Sequence, residues 1–402
     1  MQEAGQTPSH EWVPKRDARV PLRAYRNLTA GNYLTALHQL QHAYLSWERT
    51  PTVASFLLWA LSSVDPWDTA WALSGKGNVA VLPDTSALIE PEGAIAAALS
   101  DHHVVILMEA HSKPETRYFG ARLLHALRAA GATHLAFETS RQATLDQFAH
   151  SGRLRPNTAV YAFEPARAHL LRTARALGLR LFAFDYVPEG PLPAALNRFL
   201  RGRLSDAEAI NRERELYMAH NIVQQLLKRE PTARVVVWTG EQHAMKRTPL
   251  GWRWQHPFMA AHLARLTDEE PFCVWQECVD LPALSTGPKL LISAHPTLQE
   301  RGVDALVLHH RGATPARPSW LDQGSLSVAI PTVGAELVQA IPEAEGDKAV
   351  PTAQWLTHQQ RDQAQLPPGR YILRGLQGKD VIVWQRRLML TPSADQPAWP
   401  QR

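Results

Sequence analysis

The chain has 402 residues, 45% hydrophobic and 20% charged, which is ordinary for a globular protein with one large domain plus additions, or two domains. The 42 Lys and Arg residues exceed the 38 acidic residues by only +4 and form no long basic tract, which argues against a nucleic-acid-binding protein. Two cysteines, Cys273 and Cys278, are too few for a disulfide framework.

The N-terminal residues 1–16 are polar and contain no apolar segment of the kind found in secretory signals. The longest apolar stretch, Val53 to Val64, is too short to span a membrane. We therefore expect a soluble, cytoplasmic protein that binds neither nucleic acid nor membrane. A toxin exported by a signal-free route would have the same features.

Residues 1–103 are predicted to form an N-terminal leader and helical region. The first 23 residues or so are expected to be a flexible leader. The apolar spacing then predicts a helix from Tyr33 and another over 52–64, which together form a helical hairpin, and a further helix near 92–99.

Residues 104–314 are predicted to be the core domain, because short apolar runs alternate with helical patterns, as in βαβ units with a parallel sheet. The predicted strands are 104–108, 134–138, 159–163, 180–185, 235–240 and 304–309. A helix is predicted over 115–130, with Gly131 as its C-terminal stop. Ser205 and Glu208 form a capping box that begins a long helix to about Arg229.

Residues 315–402 are rich in proline and are predicted to form a small β-rich C-terminal appendage, with strand-like runs at 370–374 and 380–384 after a turn at 367–369. The expected fold class is therefore α/β. It consists of a mostly parallel sheet flanked by helices, with an N-terminal helical hairpin and a β-rich C-terminal appendage.

Two similar polar motifs each follow an apolar run: Glu109-Ala110-His111 comes after 104–108, and Glu241-Gln242-His243 comes after 235–240. In open parallel sheets, ligands bind outside the carboxyl ends of the strands. If the two strands are neighbours, their ends bring two carboxylates and two imidazoles together. This set suits acid–base or metal chemistry. Glu109 and Glu241 would orient the imidazoles, act themselves, or cap the following helices.

Two further acidic residues end predicted strands, Glu138 and Asp185, and we expect them at the same edge of the sheet. Neighbouring carboxylates such as Glu109 and Glu138 are expected to raise one pKa, which would provide a general base. Arg214 lies in one row with four apolar residues of the long helix and therefore needs a buried carboxylate partner. Arg117, in the helix after the first motif, is a second candidate for holding an anionic or carbonyl group.

These residues carry a resemblance to the superfamily of erythromycin esterase-like proteins, haem-binding ChaN-like lipoproteins and the TraB/TIKI group. Residues 104–140 resemble the family's Gly-Glu-x-His segment, helix and following strand, although Met108 stands where glycine is usual. Residues 211–227 and 233–247 resemble its Arg-rich helix and its later strand ending in a histidine. The resemblance covers about residues 104–266.

The resemblance implies a hydrolase of esters, lactones or amides acting on a small-molecule or peptide substrate without a cofactor. Position by position, His111, Glu138 and His243 match the catalytic set, supported by Glu109, Arg117 and Arg214. Two alternatives stay open: a divalent metal held by the histidines and one or two of Glu109, Glu138 and Glu241, as in a metal-dependent peptidase, or a haem-binding protein. Trp238, Trp252, Trp254 and His256 would line the pocket of the latter.

Overall fold

A computed structural model describes residues 19–46, 51–64, 88–111, 113–138, 140–185, 207–252, 254–279, 287–292, 296–310, 325–331, 333–357 and 363–391. The helices are α1 (Arg19–Ala30), α2 (Tyr33–Ser46), α3 (Pro51–Val64), α4 (Pro91–Asp101), α5 (Pro114–Ala129), α6 (Gln142–Ser151), α7 (Pro165–Ala176), α8 (Ala207–Asn221), α9 (Met259–Thr267) and α10 (Pro296–Arg301). The strands are β1 (Val104–Glu109), β2 (His134–Phe137), β3 (Arg180–Ala183), β4 (Val235–Gly240), β5 (Phe272–Val279), β6 (Lys289–Ile292), β7 (Ala305–His310), β8 (Leu326–Ala329), β9 (Leu337–Pro342), β10 (Ala353–Leu356), β11 (Gln363–Leu366), β12 (Gly369–Gln377) and β13 (Val381–Leu390).

A seven-stranded sheet forms the centre of the molecule, in the order β3-β2-β4-β1-β5-β7-β6. All its strands are parallel except β6, which pairs antiparallel with β7. β1 lies directly beside β4, with Glu109 opposite Gly240. Since the strands run in one direction, the carboxyl ends of β3, β2, β4 and β1 form one continuous edge. The predicted α/β fold class is confirmed.

The central strands are apolar on both faces because helices cover both sides of the sheet. Alternate residues of β1 enter different cores: Val105 and Leu107 pack on one side, and Val104, Ile106 and Met108 on the other. β1 and β4 are buried along their whole length. Burial on both faces fixes the register of each strand, since a slip of one residue would exchange the two faces.

Several predicted elements differ from the structure. Residues 159–163 were expected to form a strand but form turns, with one isolated bridge between Ala159 and Ser140. Ala159, Ala162 and Phe163 are buried in a covered loop rather than in a sheet. β5 and β6 were not predicted, because polar residues such as Gln276 interrupt the apolar run of β5. The expected leader ends earlier, since α1 begins at Arg19; the leader's other residues and Ser205 of the capping box lie outside the described residues.

The C-terminal region contains a four-stranded antiparallel sheet in the order β10-β9-β12-β13, and a two-stranded sheet of β8 and β11. The predicted runs at 370–374 and 380–384 correspond to β12 and β13. Helices α1 to α3 share a hydrophobic core with Leu337, Leu356 and Leu376 of this region. Within the described ranges, every helix is too short or too polar to cross a membrane.

Candidate active site

Glu109 is the most heavily bonded carboxylate at the carboxyl edge of the sheet, and its side chain is 1% exposed. Arg167 Nη1 donates a hydrogen bond to Oε1 at 2.6 Å, and Arg117 Nε donates to Oε2 at 2.9 Å. Trp238 Nε1 also donates to Oε2. Burial alone would raise the pKa of Glu109, but Arg117 and Arg167 outweigh it and hold the pKa well below its usual range. Glu109 is therefore a permanent anion.

His111 hydrogen-bonds to Glu109 and is the most accessible of the site's imidazoles, with 37% of its side chain exposed. Its Nδ1 lies 3.0 Å from Glu109 Oε1. Because a permanently anionic carboxylate can only accept, Nδ1 carries the proton and donates it. In the neutral imidazole, Nε2 is then the nitrogen that carries no proton. It lies 3.2 Å from the position that a Cβ on Gly240 would occupy, so glycine at that position leaves room for the imidazole.

Glu138 follows β2 directly and lies between the two motifs. Its Oε2 accepts hydrogen bonds from Gly240 N at 2.5 Å and Thr239 Oγ1 at 2.9 Å, both at the end of β4. Its Oε1 accepts from Arg214 Nη2 at 2.7 Å. Burial opposes ionisation, but His243 and Arg214 hold the pKa of Glu138 well below its usual range.

His243 is buried between two carboxylates. Its Nδ1 is 2.7 Å from Glu215 Oε1, and its Nε2 is 3.3 Å from Glu138 Oε1. Burial lowers the pKa of an imidazole, but Glu215 and Glu138 more than compensate and raise the pKa of His243 to about 10. His243 is thus an imidazolium at neutral pH, with both nitrogens donating.

Arg214 reaches the site from α8, where Ile210 and Met218 of the same row are buried, as is Ile222 just after the helix. Its Nη2 and Nε donate to Asp185 at 2.7 and 3.0 Å, so Asp185 fixes the guanidinium beside Glu138. Its Nη1 lies 3.4 Å from His243 Nε2, which already carries a proton and cannot accept. Among the described residues, the N–H groups of Nη1 therefore have no acceptor, and 21% of the side chain is exposed.

The buried carboxyl group with a raised pKa is Glu164, not Glu109 or Glu138 as the sequence suggested. Burial raises the pKa of Glu164 to about 7, against the opposing effect of Arg117. The guanidinium groups that lower the pKa of Glu109 and Glu138 come from helices packed over the sheet edge. Neither glutamate therefore has the properties of a general base.

Two of the expected site residues, Arg117 and Glu241, lie apart from the open site. Arg117 is fully buried and donates hydrogen bonds to Glu109, Glu164 and the carbonyl oxygen of His111. It therefore holds these groups in place without reaching the open site. Glu241 is exposed and lies toward Lys113 rather than beside Glu138. Trp238, proposed for a haem pocket, is completely buried and cannot contact a ligand.

The sequence reasoning missed Glu164, Arg167, Glu215, Trp59 and Tyr161. Arg167 and Glu215 lie on helices, where charged residues usually face solvent, and both are instead buried. Glu215 is the residue after Arg214. The expectation that the buried charge of Arg214 needs a partner therefore drew attention to this part of the helix, but not to Glu215 itself. Trp59 and Tyr161 come from distant segments, and no signal in the sequence connects them with His111.

A metal ion does not fit the two central glutamates. A carboxylate has about four lone-pair positions, and the donors around Glu109 and Glu138 already occupy them. Among the described residues, no group of three or more His, Cys, Asp or Glu side chains is arranged to hold a metal ion.

No protein-family description matches this sequence, and no curated protein resembles it closely enough to be called a relative. Several solved structures are similar at low identity. The type III effector HopBA1 is 15% identical, with a TM-score of 0.34, over 57% of this chain and 100% of that chain. A Bacillus cereus protein is 12% identical, with a TM-score of 0.39, over 55% and 91%.

ChaN of Campylobacter jejuni, solved in a study of cofacial haem binding, is 12% identical, with a TM-score of 0.33. The match covers 56% of this chain and 93% of that chain. Similarities of this size carry no argument about function. The function is therefore argued from the site itself.

Proposed function

We propose that the protein is a hydrolase in which His111 activates water for attack on an ester, lactone or amide carbonyl. The observation that carries this proposal is the hydrogen bond between Glu109 and His111 Nδ1, which leaves Nε2 unprotonated at the carboxyl edge of the sheet. An imidazole oriented by a carboxylate on its other nitrogen is a common general base.

In the reaction, His111 Nε2 takes a proton from water as the water oxygen bonds to the carbonyl carbon. The carbonyl oxygen becomes an oxyanion, and Arg214 Nη1 is the nearby donor whose N–H groups are not used within the site. When the intermediate collapses, the bond to the leaving group breaks, and the His111 imidazolium returns the proton to the leaving oxygen or nitrogen. Glu109 stabilises the imidazolium meanwhile.

The supporting residues have distinct roles in this proposal. Asp185 and Glu138 hold Arg214, and His243 compensates the charge of Glu138. Arg117 and Arg167 keep Glu109 ionised. Glu138 and His243 therefore contribute by positioning and charge balance rather than by exchanging a proton with the substrate.

The test compares His111→Gln with His150→Gln, an exposed histidine on α6. Purified proteins are assayed against a panel of esters, lactones and amides. Loss of a positioned general base lowers the rate by about 10²–10⁴-fold, so we expect that loss in His111→Gln and an unchanged rate in His150→Gln. Equal hydrolysis by wild type and His111→Gln would contradict the mechanism.

Haem binding is a second candidate, favoured by the same unprotonated Nε2 of His111, because a ligating histidine usually donates its other nitrogen to an acceptor. His111 would hold the haem, and the haem would supply redox or transport chemistry. Titration with haem decides this candidate. A Soret band in wild type that is lost in His111→Gln would support it, and no band in wild type would rule it out.

A further inference from the structure

Two aromatic rings, those of Trp59 and Tyr161, lie beside the imidazole of His111. Trp59 on α3 lies 4.8 Å from Tyr161 between ring centroids, and Tyr161 lies 5.1 Å from His111. Trp59 itself is 6.4 Å from His111, at an interplanar angle of 89°. All three rings are half-buried, so each keeps surface accessible to a ligand. We call Trp59 and Tyr161 the aromatic surface.

The position of the Trp59 ring is not explained by the packing of α3 against the N-terminal core. α3 contacts the N-terminal core through a row of fully buried residues: Val53, Leu57, Ala60, Leu61 and Val64. Trp59 lies off this row, where its ring contacts Phe56, Tyr161 and His111. A large ring that is left partly in water beside a candidate catalytic histidine is suited to covering a ligand.

Tyr161 provides a second, independent observation. Its φ of +61° lies in the left-handed region, which non-glycine residues seldom adopt, and such conformations concentrate at functional sites. The ring lies 5.1 Å from His111 and 5.8 Å from the guanidinium carbon of Arg167, which pairs with Glu109. Burial, together with Glu138 and Glu109, raises the pKa of Tyr161, so its hydroxyl is neutral.

We propose that the aromatic surface binds a planar aromatic acyl group, so that the site hydrolyses esters or amides of aromatic carboxylic acids. This inference rests on the proposed function for its reaction, although its binding part can be tested alone. With the acyl group against Trp59 and Tyr161, the carbonyl carbon adjoins His111 Nε2, and the oxygen faces Arg214. Aromatic pairs gain from offset or edge-to-face contact beyond what burial alone gives, so the rings prefer a planar partner to a saturated one.

The experiment measures binding of two anions with the same skeleton, 2-naphthoate and decahydro-2-naphthoate, by isothermal titration calorimetry. They have the same charge and nearly the same size, and only the first is planar and aromatic. With two ring contacts, we expect wild type to bind 2-naphthoate about tenfold more tightly. Equal affinities in wild type would overturn the inference.

Trp59→Leu should lose this preference, whereas Trp355→Leu, a half-buried tryptophan in β10 of the C-terminal sheet, should keep it. A preference unchanged in Trp59→Leu would overturn the assignment. If that variant does not fold, wild type labelled with 5-fluorotryptophan replaces it, with the Trp59 resonance in the ¹⁹F spectrum assigned by its loss in Trp59→Phe. 2-Naphthoate should shift this resonance, and an unmoved resonance would also contradict the proposal.

The two proposals fail separately. Selective binding of 2-naphthoate by a protein that hydrolyses none of the panel would overturn the hydrolase and leave the aromatic surface intact. Hydrolysis that depends on His111 but shows no preference between esters of aromatic and of saturated carboxylic acids would overturn only the proposed role of the aromatic surface.

Discussion

The charged side chains at the sheet edge depend on one another, and Glu109 and Glu138 have four partners each. Glu109 accepts from two buried guanidinium groups, an indole and an imidazole. No water reaches it to replace a lost partner. Its charge therefore serves two purposes: it orients His111, and it compensates Arg117 and Arg167.

Glu109→Gln should lower the free energy of unfolding by about 3–5 kcal/mol, because it leaves two buried guanidinium groups without their shared anion. Urea denaturation of purified protein measures this change. The matched control is Glu277→Gln, whose carboxylate pairs with Lys113 and is 36% exposed. That variant should lose at most about 1 kcal/mol. Similar losses of unfolding free energy in both variants would mean that the buried network around Glu109 stabilises the protein no more than the exposed pair does.

His243 should make stability depend on pH in the alkaline range. Folding raises its pKa from 6.5 to about 10, so its stabilising contribution is complete below pH 6.5 and is lost as the pH rises through about 10. The difference in unfolding free energy between wild type and His243→Gln should therefore shrink between these two values. Urea denaturation at several pH values measures it. A difference that stays constant with pH would show that His243 has no carboxylate-stabilised charge.

At the scale of elements, the sequence predicted what depends on local pattern. Apolar runs that end in Glu109, Glu138 and Asp185 identified strand ends that meet at one edge, because burial on both faces makes such runs conspicuous. β5 was missed because its apolar run is interrupted by Gln276. This buried residue hydrogen-bonds to His309 and to the carbonyl oxygen of Met108. A polar residue satisfied inside a sheet breaks the pattern without breaking the strand.

The helices that complete the site could not be placed from the sequence, since a pattern indicates which face of a helix is apolar but not which sheet end it covers. Arg167 is buried because the first turn of α7 lies against Glu109 and the carbonyl oxygen of Glu138. α5 packs closely against β4: a Cβ on Gly120 would lie 2.3 Å from the indole of Trp238. The absence of a side chain there lets α5 approach the strand that holds the site.

Two helical glycines should respond oppositely to alanine. Gly120→Ala should lower the free energy of unfolding by about 1–3 kcal/mol, because the new methyl group displaces the fully buried Trp238. Gly93→Ala, on the exposed side of α4 with open space around it, should raise stability by up to about 1 kcal/mol through helix propensity. Urea midpoints of both variants check this. A stabilising Gly120→Ala would mean that α5 does not pack against Trp238 this closely.

At the scale of the whole molecule, the described N-terminal helices meet the C-terminal sheet beside the site. Helices α1 to α3 share their core with strands of the C-terminal sheet, and Tyr33 donates a hydrogen bond to the carbonyl oxygen of Phe163, in the segment that holds Tyr161. The division into residues 1–103, 104–314 and 315–402 stays a prediction. These contacts nevertheless tie the aromatic surface to both terminal regions.

Asp380 makes the link between the two ends that is easiest to test. From the turn between β12 and β13, its carboxylate accepts from Leu34 N at 2.9 Å and Thr35 N at 3.0 Å, in the first turn of α2. These amide groups have no partner within the helix, so a residue from the far end of the chain caps α2. The negative charge also interacts favourably with the N-terminal end of the helix dipole.

Asp380→Gly removes this cap while tolerating the backbone, since φ at Asp380 is +59° and glycine adopts that value without strain. We expect stability to fall by about 1 kcal/mol, and hydrogen exchange of the Leu34 and Thr35 amides to accelerate more than exchange in α9. Because α2 packs against α3, which carries Trp59, the preference for 2-naphthoate should weaken as well. Unchanged exchange at Leu34 and Thr35 would show that the C-terminal sheet does not hold the N-terminal helices in place.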